Sequence, residues 1–261
     1  MKLAVTGKGG VGKTTVSALL AHAFKASGRS VVAIDCDPNS NLLACMGYPH
    51  PENVKPLIAL KDLIEEKMGV KPGATGGMFR LNPFVEDIPD RYAIAVDGIR
   101  VLVAGAVKKG GAGCYCPENA LIRALISHLL VDEKTDLILD MEAGVEHLCR
   151  GTVRTVDGLL IVVEPSRQSV ATAKRIQELA GDLGLPRLGV VGNKVRDEPG
   201  RQYLAAAVAP LRLLGMLPYD EELARAELEG RPPSPGHSKL QGELAAILLA
   251  LAEDQRRDAP A

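Results

Sequence analysis

Short runs of consecutive apolar residues, each closing in a polar or glycine-rich turn, alternate along this chain with stretches of helical spacing. Lys2 to Thr6 is the first such run, and Val16 to Lys25 carries the first helical pattern. Ser30 to Ile34, Ile99 to Ala104, Thr135 to Asp140, Gly158 to Val163, Leu188 to Gly192 and Leu211 to Leu217 read as further strands. They are apolar at successive positions, as strands covered on both faces are. Helical spacing recurs over Glu118–Leu130, from His147 and Cys149 onward, and over Val170–Leu183, Glu221–Glu229 and Leu240–Ala252. This order predicts an α/β fold: a doubly wound, mostly parallel sheet of about seven strands with helices on both faces.

The rhythm breaks once, between about residues 48 and 97. Leu57 to Met68 has helical spacing, and Lys71 to Gly77 is a loop punctuated by Gly and Pro. Met78–Leu81 and Tyr92–Val96 are candidate short strands around a Pro83–Pro89 linker. The stretch is expected to be an insertion over the sheet edge, near a partner surface. Residues 1–253 otherwise form one expected domain without internal repeats. Arg231–Gly236 is a proline-rich link, and residues 254–261 are expected to be a disordered tail.

Composition narrows the function classes. With 261 residues and 46% hydrophobic content, the chain can bury a large core. A net charge of −1, no Trp and 3% aromatics offer neither a basic field nor a stacking surface, so no nucleic-acid partner is expected. Gly7 and Lys8 interrupt the first apolar run too early for a signal peptide. Leu244–Ala252 is about half the ~20 residues of a membrane span, so no membrane partner is expected either. Five cysteines, an odd number, suggest reduced thiols and a cytoplasmic location.

The candidate chemistry starts directly after the first strand. Gly7-Lys8-Gly9-Gly10-Val11-Gly12-Lys13-Thr14-Thr15 fits G-x-x-x-x-G-K-[ST] between a strand and a helix, which is the context that phosphate-binding motif requires. The glycines let backbone N–H groups approach a phosphate chain, and the helix dipole adds positive potential. Lys13 would reach the β- and γ-phosphates, and the Thr14 hydroxyl would ligate Mg²⁺. Asp35-Cys36-Asp37-Pro38 ends the second strand, where carboxylates point at a bound nucleotide. Asp140 ends a later strand and fits the role of a carboxylate holding a Mg²⁺-bound water. Asn193-Lys194-Val195-Arg196 resembles N-K-x-D, but Arg196 replaces the aspartate that reads guanine.

A second feature lies in Gly113-Cys114-Tyr115-Cys116-Pro117. Two thiols just before a helix favour thiolate. Two sulfurs alone do not complete a tetrahedral site, whereas two copies related by a two-fold axis supply four. Four thiolates suit Zn²⁺ or Ni²⁺. A redox pair, or two inert cysteines, fits the same two residues. His147 is either a further ligand or a surface residue at a helix start.

The string G-K-G-G-V-G-K-T-T resembles the deviant Walker A loop of the MinD, ParA and nitrogenase iron-protein superfamily. Together with D-C-D-P, G-A-G-C-Y-C-P-E-N and L-D-M-E-A-G-V-E-H-L, in that order from Met1 to about Tyr219, it is similar to the CooC family and its AcsF relatives. Those are nickel-insertion ATPases that mature carbon monoxide dehydrogenase or acetyl-CoA synthase. The resemblance implies a homodimer that closes on ATP or metal, with Lys8 reaching the partner's nucleotide. It further implies Asp37 as the hydrolytic carboxylate near Mg²⁺, and Cys114 and Cys116 as metal ligands shared between subunits. Gly9, Gly10, Val11, Gly12, Lys13, Thr14 and Thr15 would hold the phosphates, with Asn193 and Pro218 at the adenine. Ala143-Gly144 matches the second switch, and Glu142 stands where some relatives carry glycine. Two rivals remain in view. A nitrogenase-like ATPase would bridge a [4Fe–4S] cluster through Cys114 and Cys149, and a ParA- or MinD-like ATPase would position cargo.

Overall fold

Residues along the inner strands separate by parity into two cores. In β6 (Gly158–Val163), Leu159, Ile161 and Val163 enter one core while Leu160 and Val162 enter the other. In β2 (Ser30–Asp35), Val32 and Ile34 join the first and Val31 and Ala33 the second. Side chains alternate across a strand, so a run that is apolar at every position must be covered on both faces. The computed structural model describes residues 1–71, 78–105, 117–142, 156–185, 187–233 and 238–257, and the uninterrupted runs there have helices on either side.

The remaining strands are β1 (Lys2–Gly7), β3 (Ile94–Val96), β4 (Ile99–Val103), β5 (Thr135–Asp140), β7 (Leu188–Val195) and β8 (Arg212–Pro218). Eight strands form one sheet in the order β3-β4-β2-β5-β1-β6-β7-β8. Seven run parallel, and only β3 pairs antiparallel, with β4. One core packs α1 (Lys13–Ala26), α2 (Leu42–Cys45) and α9 (Ser238–Arg257) on one face. The other packs α3 (Lys61–Met68), α5 (Pro117–Val131), α6 (Arg167–Leu183) and α7 (Glu198–Ala207). β1 lies between β5 and β6, where the order of strand addition reverses, and such a reversal opens a crevice at the carboxyl ends. The doubly wound expectation holds, with one strand more than the seven of the parallel core.

The differences concentrate in residues 48–97 and at element ends. Met78–Leu81 forms no strand; Met78 and Leu81 are exposed and the sheet edge is already taken by β3. β3 and β4 are joined by Asp97-Gly98, with φ of 47° and 74°. A D-G pair with positive φ at both positions is the two-residue turn whose twist suits a hairpin. The expected linker at Pro83–Pro89 gives way to α4 (Ile88–Tyr92), with Pro89 in its first turn where no N–H is needed. Leu57–Met68 divides: a 3-10 turn over Leu57–Ala59, an extended Leu60, then α3. α7 was not foreseen, although Asp197 accepts from Gly200 N at 2.8 Å and Pro199 lies in the first turn, both start signals. β7 runs three residues beyond Gly192, so Asn193 and Lys194 sit on its end.

Leu160 is 1% exposed at the centre of the sheet, whereas Leu228, in α8 (Glu221–Leu228), is 89% exposed. Leu160→Ala should lower unfolding free energy by about 2–5 kcal/mol, while Leu228→Ala changes it by less than about 0.5 kcal/mol. Urea denaturation followed by circular dichroism measures both.

Candidate functional site

The phosphate-loop motif lies where β1 meets α1, at the centre of the carboxyl edge. Gly7, Gly10 and Gly12 have φ of 148°, 83° and 90°, a region that side-chain-bearing residues rarely enter. A Cβ on Gly7 would collide with the Val162 carbonyl, and one on Gly12 with the Asn193 amide. Gly9 and Gly10 face open space instead, so the loop backbone is accessible from the crevice. Val11 anchors the loop in the core at 0% exposure. Lys13 opens α1 and is buried, and the first turn of α1 contains no acidic residue to cancel its positive end. An accessible glycine backbone, a helix N-terminus and a buried lysine together select an anion.

Two carboxylates flank the loop. Asp35 and Asp140 are register partners at the ends of β2 and β5, and both are essentially unexposed. Ser17 Oγ donates to Asp140 at 3.1 Å, and the Thr14 hydroxyl also bonds to it. Burial pushes the Asp140 carboxyl up to about 6, against the opposing pull of Thr14, Ser17 and the Lys13 charge. Burial pushes Asp35 up to about 7; the Leu42 and Asp37 amides oppose the rise, and the charge of Asp140 adds to it. Asp35 does not face the crevice as the sequence suggests. It accepts from Asp37 N at 3.0 Å and Leu42 N at 2.8 Å, and so fixes the turn that carries Asp37.

Asp37 is half-buried in that turn. Its Oδ1 accepts from Asn39 N at 2.8 Å, and its carbonyl accepts from Ser40 N at 3.0 Å. Its charge raises the affinity of Asp140 for a proton, so the two side chains lie near one another. Lys13, Thr14, Asp37 and Asp140 are therefore gathered from α1, the turn after β2, and β5. Among the described residues, no group of three His, Cys, Asp or Glu side chains could hold a metal ion unaided. Mg²⁺ in phosphate sites uses one or two carboxylates plus substrate oxygens, so this donor set fits a magnesium nucleotide.

Other contacts tie the loop to β6 and β7. Lys8 Nζ lies 3.8 Å from Glu164. Thr6 Oγ1 donates to the Glu142 carbonyl at 2.9 Å, holding the exit of β5 against β1. Asn193 is buried and donates Nδ2 to the Val11 carbonyl at 2.8 Å; Lys194 donates to the Gly10 carbonyl at 2.7 Å. Pro218 pairs with Val195, and Tyr219 N donates to Val195 O at 2.9 Å. Pro218 thus borders a cavity one strand away from the phosphate loop. Sequence reasoning assigned no role to Asp35 as the brace of the turn, to Ser17, to Lys194 or to Glu164. Lys194 could have been found from its place beside Asn193 in the N-K pair. Cys114, Cys116, His147, Cys149 and Ala143-Gly144 lie outside the described residues. Cys36 is fully buried, with its thiol pushed far up by burial, and Cys45 is pushed up to about 12, so both are inert.

Comparison with known proteins places the chain in a nucleotide-binding family. The profile of the CobQ/CobB/MinD/ParA nucleotide binding domain matches residues 2–233. An ATP-binding protein of Methanocaldococcus jannaschii is 45% identical over 235 residues, covering 89% of this chain and 90% of its own. The carbon monoxide dehydrogenase accessory protein CooC of Rhodospirillum rubrum is 40% identical over 255 residues, covering 97% of each. The septum site-determining protein MinD of Pyrococcus horikoshii, solved with Mg-ADP, superposes with a TM-score of 0.62 at 22% identity, covering 98% of this chain and 97% of that one. No helix among the described residues is long and apolar enough to cross a membrane.

Raised carboxyl pKa values make folding pH-dependent. A proton held more tightly when folded stabilises the chain at low pH, and that contribution disappears as pH rises through the folded pKa. The nucleotide-free protein should therefore lose stability as pH climbs from about 4 through 6 and 7. Asp140→Asn and Asp35→Asn should each flatten that decline. Thermal melts across the range check both slopes.

Proposed function

The chain belongs to the CobQ/CobB/MinD/ParA nucleotide-binding family and groups there with the accessory protein CooC, and on that footing we propose that it is an ATPase that delivers nickel to a metalloenzyme. The observation that carries the ATPase is the convergence of Lys13, Thr14, Asp37 and Asp140 on an accessible glycine loop. The likeness to CooC over nearly the whole chain supports carbon monoxide dehydrogenase as the client, with acetyl-CoA synthase the alternative that the sequence resemblance keeps open.

ATP enters with its phosphates against the N–H groups of residues 9–15 and the Lys13 ammonium. Mg²⁺, when bound, supplies charge that screens the β- and γ-phosphates, held by Thr14 and, through water, by Asp140 with Asp37 alongside. Asp37 orients a water for in-line attack on the γ-phosphate. Asn193 commits one amide N–H to Val11, which orients its carbonyl oxygen as the acceptor for an adenine amino group. Pro218 borders the base.

Lys8 completes the partner's site when two copies close face to face. Its pairing with Glu164 is long, and both side chains are about a third exposed, so the pair is worth about 0–1 kcal/mol and releases readily. Closure brings two copies of Cys114 and Cys116 together as four thiolates around one Ni²⁺, or Zn²⁺, which is the cargo. Loss of the γ-phosphate relaxes the segments after Asp37 and Asp140, and so couples hydrolysis to transfer of the ion.

Lys13→Ala should reduce ATP turnover at least about 100-fold, since one preorganised cation at the transferring phosphate is worth that much; turnover near wild type would remove the enzyme assignment. Lys8→Ala should still bind ATP yet elute as a monomer where the wild type elutes as a dimer with MgATP. An unchanged elution profile would contradict the role of Lys8 across the interface.

A further inference from the structure

Arg196 occupies the place that belongs to the guanine-reading aspartate in N-K-x-D, and its guanidinium carbon lies 3.6 Å from the centroid of the Tyr219 ring. The stacked pair lines a cavity of about 470 Å³ together with Val195, Pro218, Asp220 and Leu240. That volume lies within the range of small-molecule sites, roughly 300–1,000 Å³. Its position is set by the phosphate loop, because Asn193 and Lys194, directly before Val195, are bonded to Val11 and Gly10. Tyr219 N bonds to Val195 O, so Arg196 and Tyr219 rise from neighbouring strand ends that are locked together.

Chemistry at this point is the inverse of a guanine reader. Guanine presents N–H donors at N1 and N2, which a carboxylate accepts. Adenine presents a bare acceptor at N1. At that edge a guanidinium, with five donors and no acceptor, complements the bare N1 of adenine and opposes the N1–H and N2–H of guanine, donor against donor. Stacking on Tyr219 holds the plane of the guanidinium, so less conformational freedom is lost when it meets a base. Of the three carboxylates that line the cavity, that of Asp220 caps α8, its Oδ1 accepting from Glu222 N at 2.8 Å and Leu223 N at 3.1 Å, while Glu221 and Glu222 are exposed at the rim with Arg225.

We propose that Arg196, held on Tyr219, is the residue that selects adenine nucleotides over purines carrying a proton on N1. The proposal deepens the ATP reading above and rests on it. The test is equilibrium binding of non-hydrolysable analogues of ATP, GTP and ITP, with Mg²⁺, to the full chain by calorimetry. Hypoxanthine lacks the 2-amino group, so ITP isolates the N1 edge. The wild type should favour the ATP analogue by about tenfold or more over both others, the size of one hydrogen bond to a charged group. Arg196→Ala should bring the three affinities together, and Arg196→Asp should favour the GTP analogue. Arg196 is exposed, and thermal melts verify that each variant is folded; where one is not, the other decides. Undiminished preference for ATP in a folded variant overturns the role of Arg196 and leaves the ATPase reading standing. Failure of the wild type to bind any of the three overturns both.

Discussion

Two carboxylates sit side by side at the buried ends of β2 and β5, and the rest of the site is arranged around the cost of keeping them there. Without partners, such charges would be paid for in stability; here hydroxyls, amides and one ammonium offset part of that cost. The offset is incomplete, and both groups hold their protons more tightly than a free carboxyl does. What remains is a demand for positive charge beside a cradle for phosphates. A divalent cation arriving on a nucleotide would answer that demand at Asp140, while Asp35 is already engaged by the Asp37 and Leu42 amides.

The same carboxylates pass that demand outward. Asp35 braces the turn that carries Asp37, tying that turn to the end of β2. Asp140 precedes Met141 and Glu142, which β1 grips through Val5 and Thr6. On the far side, the amide of Asn193 and the ammonium of Lys194 clamp the end of β7 onto the loop. The phosphate loop, the cavity beside Arg196 and both strand exits are thus joined by one network of hydrogen bonds.

Much of this was legible in the sequence, and the failures have physical reasons. Parallel inner strands announce themselves because burial on two faces leaves no polar position in runs such as Leu159–Val163. The glycine loop was equally plain, since its φ values admit little else. Residues 48–97 were opaque because their short elements are held by tertiary contact with α5 and the sheet edge rather than by periodicity. Even there Asp97-Gly98 carried a readable hairpin signal that was passed over. Asp35 was misjudged because a strand-end carboxylate looks the same in sequence whether it faces a ligand or a backbone turn. Lys194 and Glu164 gained their contacts from strands far apart in the chain, which no local pattern encodes.

The proposed function requires two copies to close over nucleotide and build a metal site that neither would have alone. Native mass spectrometry of the wild type and of the Cys114→Ser/Cys116→Ser variant, each with MgATP and one equivalent of Ni²⁺ per chain, addresses this directly. The account predicts a wild-type dimer holding two nucleotides and a single nickel ion, and a variant that keeps its nucleotide but carries no nickel. A wild-type protein that stays monomeric, or a variant that retains the ion, would contradict it.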